Sequence, residues 1–361
     1  MGESLRADFE IGLPRFRLAP NFGLGPELAV LFGPSGAGKT LTLKSLAGLV
    51  RPDRGSIQLS GRVLFDSDQG IDLRPQARRI GYVPQHYALF PHRSIAQNIE
   101  YGLHELSSTE RRNQVTEMLS LMRLEDLADR RPGEVSSGQQ QRAALARALA
   151  RRPDLLLMDE PFAAVEEDLR AHLRAELVRV QGETQIPVLL VTHSLTEAYS
   201  LAQRLVVLYR GEVMQHGARD EVYRRPSTPE VARLMGMSNI LSVNVAGQDR
   251  GQLSVDWNGV RLAIAHDGVQ PSGPSLVLGV RPEEISFVGP NVTEDLPNRL
   301  TGFVEREKEF GADHLLEVQV NSGRLEVRVT HPFYVATALG VGQSRALTID
   351  PNRFHIFPKR G

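Results

Sequence analysis

The chain has 361 residues, with 42 Lys+Arg against 43 Asp+Glu, 41% hydrophobic residues and no cysteine. That length makes room for two or three domains with cores of their own, and the missing cysteine excludes disulfides, thiolate metal clusters and cysteine nucleophiles. Charge is near balance in both the N-terminal two thirds and the remainder, which speaks against a basic nucleic-acid surface, and no apolar run reaches the roughly 18 residues that span a bilayer.

Met1-Gly2-Glu3-Ser4-Leu5-Arg6 lacks the apolar core of a secretory signal, so a soluble, cytosolic chain is expected. From there to about residue 236, short apolar runs alternate with helical patterns, as in a sheet with helices on its faces. Leu28 to Phe32 predicts a strand, and the helix after it carries Leu43, Leu46, Ala47 and Val50 on one face. Val115, Met118, Leu119 and Met122 recur at helical spacing, as do Leu169, Leu173 and Leu177; each set is a core stripe. Leu155 to Met158, Val188 to Val191 and Leu205 to Leu208 read as buried strands, and a short helix is expected near Val231 to Met235. Residues 237–361 then change to alternation and turns. Leu253, Val255 and Trp257 face Val260, Leu262 and Ile264 across Asn258-Gly259, a tight hairpin loop. Leu316, Val318 and Val320 turn through Asn321-Ser322-Gly323 into Leu325, Val327 and Val329. The chain therefore divides into an α/β domain, 1–236, and a small all-β barrel or sandwich, 237–361. Asn239-Ile240-Leu241 and Asn298-Arg299-Leu300 each precede such a hairpin, a sign of internal repetition.

Chemistry begins at Gly33-Pro34-Ser35-Gly36-Ala37-Gly38-Lys39-Thr40, a G-x-x-x-x-G-K-[ST] run between a predicted strand and a helix. Glycines let backbone N–H groups curl around phosphate oxygens, and the helix start adds partial positive charge. Lys39 bridges the phosphates and the Thr40 hydroxyl reaches Mg²⁺; Gly33 through Thr40, with Leu41, are the expected nucleotide lining. The run Leu155 to Met158 ends in Asp159-Glu160. Asp159 is expected to hold Mg²⁺ and Glu160 to polarise the attacking water.

Val135-Ser136-Ser137-Gly138-Gln139-Gln140-Gln141-Arg142 opens an Ala-rich helix and closely resembles the LSGGQ signature of ABC ATPases. The resemblance extends in order along the chain: Gln85 in Tyr82-Val83-Pro84-Gln85 is similar to the Q-loop glutamine, and His193 in Val191-Thr192-His193-Ser194 to the switch histidine. It implies an α/β P-loop ABC ATPase domain followed by a small all-β domain, with ATP and Mg²⁺ as cofactors. It also implies a homodimer in which Ser136, Ser137, Gly138 and Gln139 of one copy meet the γ-phosphate held by the other, with Gln85 near Mg²⁺ and His193 on the γ-phosphate. Catalysis then rests on Lys39, Glu160 and His193. Phe16 is the expected adenine-stacking aromatic, with Phe22 as the other candidate. Two departures stand out: Ser137 replaces a signature glycine, and Glu166 stands where the family's D-loop has Asp. ATP binding is expected to survive both, with turnover altered. A P-loop kinase and a soluble ABC protein acting on nucleic acid or ribosomes are the rival readings.

Leu278-Gly279-Val280-Arg281-Pro282-Glu283-Glu284-Ile285 looks like the marker of the TOBE domain carried by uptake-transporter ATPases. This implies transmembrane permease subunits docking near Gln85 to Asn98, an extracytoplasmic solute-binding protein as indirect partner, no nucleic acid, and a peripheral place on the cytoplasmic face of the inner membrane. Leu31 through Gly102, with Asp53-Arg54-Gly55 and Arg78-Arg79-Ile80-Gly81-Tyr82-Val83, looks most like molybdate and tungstate importer ATPases. Asn298-Arg299-Leu300-Thr301-Gly302 is similar to a molybdate-binding fold. An oxyanion cargo is the expectation, with the tail either binding oxyanion itself or bracing the dimer; sulfate, ferric-ion, polyamine and sugar importers share most of these features.

Overall fold

The computed structural model of the chain describes residues 4–163, 165, 167–249, 251–265, 273–289 and 296–358, with backbone alone at 167–169 and 249. It forms two compact units, one through Val222 and one from Tyr223. In the first, β1 (Leu5–Leu13), β2 (Phe16–Leu18) and β3 (Asn21–Leu24) precede β4 (Leu28–Phe32) and helix α1 (Lys39–Leu46). There follow β5 (Arg54–Leu59), β6 (Arg62–Asp66), β7 (Ile71–Asp72), β8 (Ile80–Val83), α2 (Ile95–Glu100), α3 (Ser108–Leu121) and α4 (Ser137–Leu149). The unit closes with β9 (Leu155–Asp159), α5 (Glu167–Thr184), β10 (Val188–Thr192), α6 (Leu195–Leu201), β11 (Arg204–Tyr209), β12 (Glu212–Ala218) and α7 (Arg219–Arg224), in which the boundary falls. Among the described residues no helix is long and apolar enough to cross a membrane.

The strands β12-β11-β4-β10-β9-β8 make one sheet in that order, parallel except for β12. Every residue of β4, β9 and β10 is buried, as befits parallel strands covered on both faces. The first third of the chain also builds a second, antiparallel sheet, β2-β1-β5-β6-β7 with β3 beside β1. A single layered α/β reading omits it, although Leu5, Ala7, Phe9 and Ile11 alternate into its core. Helix α1 is shorter than its apolar face suggests. It stops at Leu46, where the fully buried Arg78 donates to the carbonyls of Ser45 and Leu46, and Gly48 adopts φ 77°. On α3 the buried stripe is Gln114, Met118 and Leu119, with Val115 half-buried.

The second unit holds α8 (Pro229–Leu234), β13 (Asn239–Asp249), β14 (Gln252–Trp257), β15 (Val260–Ala265), β16 (Ser275–Val280), β17 (Ile285–Phe287), β18 (Leu300–Phe310), β19 (Asp313–Val320), β20 (Gly323–Thr330), α9 (His331–Ala336), β21 (Ser344–Ile349) and β22 (His355–Phe357). Its two five-stranded sheets, β15-β14-β13-β16-β22 and β17-β21-β18-β19-β20, enclose one core. The Asn258-Gly259 loop has positive φ at both residues, the geometry that matches strand twist. The later hairpin turns on Asn321-Ser322 alone, because Gly323 already pairs with Val320. The marker run is structural glue: the buried Arg281 donates to the carbonyls of Met235 and Tyr223 and stacks on the Tyr223 ring at 3.7 Å. A Cβ on Gly279 would meet Met237 Sδ at 2.3 Å. These contacts join residues 223–237 to the strands, so the structural boundary precedes the change in sequence texture at 236.

Candidate functional site

The carboxyl ends of β4, β8, β9 and β10 lie along one edge of the parallel sheet, the edge at which open α/β sheets bind ligands. The P-loop leaves β4 there. A Cβ on Gly33 would meet Leu208 O at 2.1 Å, and Gly38 sits at φ 104°, a left-handed backbone that glycine adopts without strain. Lys39, only 6% exposed, donates from Nζ to Gly33 O at 2.9 Å and Pro34 O at 3.0 Å. Burial lowers its pKa, partly offset by Glu160 and Asp159.

Thr40 Oγ1 donates to Asp159 Oδ1 at 2.9 Å, and Tyr82 Oη lies 3.5 Å from Oδ2. Asp159 is 5% exposed. Burial raises its pKa, against the Thr40 hydrogen bond, and burial likewise raises that of Tyr82. A hydroxyl and a carboxylate oxygen in contact are the hard oxygen donors that Mg²⁺ takes, so these residues fit that ion. Next in sequence, Glu160 occupies φ 44°, a left-handed backbone uncommon for a side-chain-bearing residue and concentrated at functional positions. Its N–H is held by Val191 O at 3.0 Å, and Oε1 lies 3.1 Å from His193 Nδ1. His193 is exposed just past β10, in a turn fixed by Thr192, whose hydroxyl binds Glu197 and accepts from Ser194 N. The strand ends thus gather Lys39, Thr40, Asp159, Glu160 and His193, joined by hydrogen bonds into the Thr40–Asp159 and Glu160–His193 pairs.

Phe16 and the P-loop residues Pro34, Ser35, Gly36 and Ala37 line one cleft of about 500 Å³ with Tyr209 and Arg210. Phe22 is buried in the core, so of the two aromatics only Phe16 faces this cleft. Leu41 is on α1 and half-buried. Gln85 is exposed two residues past β8, with no hydrogen bond to Asp159 or Thr40. Ser136 caps α4 through a capping box with Gln139; Ser137 is its first residue, half-buried, and Gly138 is buried. None of the four signature residues lines the Phe16 cleft. Glu166 lies outside the described residues.

Two residues matter that motif reading did not single out, and a third, Asn98, it named only as the end of the docking stretch. Tyr87, buried at φ 59°, donates from Oη to Pro161 O at 3.2 Å, just after Glu160. Arg147 of α4 donates to the carbonyls of Tyr87 and Ala88, both at 2.7 Å, clamping the loop after Gln85 to the signature helix. Asn98 is fully buried and bonds the backbone of Phe90, Arg93 and Ser94. An arginine in a helix and an asparagine near a loop carry no periodic signal, so position in the fold alone reveals them.

Fold and site together define a P-loop nucleotide-binding domain with an acidic strand end beside its phosphate loop. Residues 24–163 match the ABC transporter family and residues 278–357 the TOBE domain family. The chain belongs to the ATP-binding proteins of ABC importers: it is 38% identical over 334 residues to the spermidine/putrescine import ATP-binding protein PotA 1 of Pseudomonas aeruginosa, covering 90% of this chain and 86% of that one. It is also 42% identical over 237 residues to the molybdate/tungstate import ATP-binding protein WtpC of Archaeoglobus fulgidus, covering 66% and 95%. Among solved structures, cbiO1 from Clostridium perfringens, part of the ABC transporter complex cbiONQ, aligns with TM-score 0.55 at 25% identity, covering 61% of this chain and 90% of that one. The dimeric ATP-binding cassette MJ0796 bound to ADP and Pi aligns with TM-score 0.50 at 28% identity, covering 60% and 98%.

Proposed function

We propose that the chain is the motor subunit of an ABC importer, acting as a homodimer against membrane permease subunits on the cytoplasmic face of the inner membrane, with an external solute-binding protein as indirect partner. The observation that carries this reading is the gathering of Lys39, Thr40, Asp159, Glu160 and His193 at one sheet edge. Lys39, held at carbonyls of the P-loop, turns to β- and γ-phosphate oxygens of ATP, while the amides of residues 36–41 cradle them. Phe16 stacks on the adenine. Mg²⁺, held by Thr40 and Asp159 with Gln85 alongside, would draw charge from the phosphates. Glu160 orients water for in-line attack, and His193, aligned by Glu160, contacts the γ-phosphate. The signature amides beginning at Ser136 serve the ATP of the second copy; the dimeric form of MJ0796 supports that arrangement. Permease docking near Gln85 to Asn98 is carried by the resemblance; a cleft of about 720 Å³ lined by Tyr82, Tyr101 and Arg147 lies beside that stretch. Glu160→Gln should cut phosphate release about a hundredfold or more while ATP still drives a doubling of mass in light scattering; brisk hydrolysis by that variant defeats the assignment.

For cargo, we infer an oxyanion such as molybdate, tungstate or sulfate, supported by the likeness to WtpC and by Arg299 and Arg345 lining a cavity of about 260 Å³ in the second unit with Thr337 and Ser344. A polyamine is the second reading, favoured by the longer match to PotA 1. Cells carrying Lys39→Ala should lose molybdate uptake and keep spermidine uptake; the reverse pattern selects the polyamine.

A further inference from the structure

Outside the nucleotide site, the second unit gathers a second group of chemically active side chains. Glu309 on β18 and His314 on β19 are direct cross-strand partners, and His331 opens α9, its N–H held by Ala312 O at 2.8 Å. One ligand atom from each of the three lies within 4.8 Å of the others. His314 is 2% exposed, whereas Glu309 and His331 are open to solvent.

The buried imidazole is oriented from behind. Its Nδ1 lies 2.7 Å from Glu307 Oε1, and Tyr334 Oη donates to the other carboxylate oxygen at 2.6 Å while its ring stacks on His314 at 4.0 Å. With the Tyr334 hydroxyl donating to one oxygen and Nδ1 of His314 against the other, Glu307 has the surroundings of a carboxylate. An ionised carboxylate only accepts, so Nδ1 carries the proton and Nε2 presents its lone pair outward. A carboxylate bound to the far nitrogen of a histidine is the arrangement that fixes tautomer and raises basicity in metal-ligating imidazoles. Nε2 of His314 faces Nδ1 of His331 at 2.8 Å. With His314 accepting, His331 donates that proton. By moving it to the solvent-exposed Nε2, His331 frees a second lone pair without net proton release.

We propose that His314, His331 and Glu309 bind a Zn²⁺ ion that ties the β18–β19 hairpin to the start of α9. Two imidazole nitrogens and one carboxylate are a zinc donor set, with a fourth position left for water. Nitrogens on one tetrahedral zinc lie about 3.3 Å apart, so the exposed His331 ring must retreat from His314 and turn until the two lone pairs converge on the ion instead of facing along the line between the nitrogens. Magnesium, a hard ion that favours oxygen donors, is a poor match.

The test uses the full-length chain, stripped with chelator and titrated with Zn²⁺ alone, without nucleotide. The expected result is one zinc per chain, a zinc-dependent rise in Tm, and at least tenfold weaker binding in His331→Ala and in Glu309→Gln. Both substitutions are at exposed positions and leave the packed His314 in place. Co²⁺ as a spectroscopic probe should give visible absorption with the parent chain that His331→Ala loses. Equal zinc affinity in parent and both variants, or no binding at tens of micromolar zinc, overturns the site and leaves a hydrogen-bonded histidine pair.

Discussion

Asp159 keeps a carboxyl group nearly out of water, with Thr40 Oγ1 at 2.9 Å and Tyr82 Oη at 3.5 Å. Burial is the largest influence on it and raises its pKa, so the folded chain binds a proton there more tightly than the unfolded chain does. Its contribution to stability is therefore full below the unfolded pKa, near 3.9, and is lost as pH rises through the folded value. Asp159→Asn carries no such charge. Without nucleotide, its Tm should exceed that of the parent at pH 7 to 8, and the gap should narrow toward pH 4, while Mg²⁺-dependent hydrolysis falls about a hundredfold or more. Equal melting curves across that range would show that Thr40 and Tyr82 compensate the buried charge. The positions of Lys39, Thr40, Asp159 and Glu160 at strand ends were readable, because a phosphate-binding loop and a buried run ending in carboxylates each force local backbone. The left-handed backbone of Glu160 was not, because it follows from the hydrogen bond of its N–H to Val191, a residue on another strand.

Helix α1 shows how one distant side chain sets the length of an element. Arg78 donates to the carbonyls of Ser45, Leu46 and Leu73 and pairs with Asp72 at 3.0 Å, with no part of its side chain exposed. Helix C-termini leave carbonyls unsatisfied, and here a guanidinium satisfies two of them and favours the negative end of the helix dipole. Arg78→Met keeps the bulk and removes every donor. It should cost about 3 kcal/mol in urea unfolding and weaken ATP binding through the P-loop that begins α1; a loss below about 0.5 kcal/mol would mean that water replaces the donors. The strands β4, β9, β10 and β11 were legible as unbroken apolar runs. The antiparallel sheet of β1 to β3 and β5 to β7 was less so, since two- and three-residue strands such as β2 and β7 carry too few residues to show a period.

The second unit is a doubled element whose halves exchange their ends. Strands β13 to β16 form a sheet closed by β22, and β18 to β21 form a sheet closed by β17. Each half therefore completes the other. The ladder slips at matching places, between Val245 and Gly247 and between Val304 and Arg306. Asn239 exchanges two hydrogen bonds with the backbone of Glu326 in β20; Asn298 does the same with Ala263 in β15 and adds a third to Ile349 O. The two asparagine runs were visible in the sequence, but the exchange was not, because β17 and β22 are three residues long and their partners lie more than fifty residues away. Removing either asparagine leaves backbone groups of the opposite half without partners, at about 1 to 3 kcal/mol. Trp257, the single tryptophan of the chain and buried in this core, reports the loss directly. Asn239→Ala and Asn298→Ala should both shift its urea transition, the second more because three bonds go rather than two. A Trp257 transition moved by only one of them would mean that one half folds independently of the other.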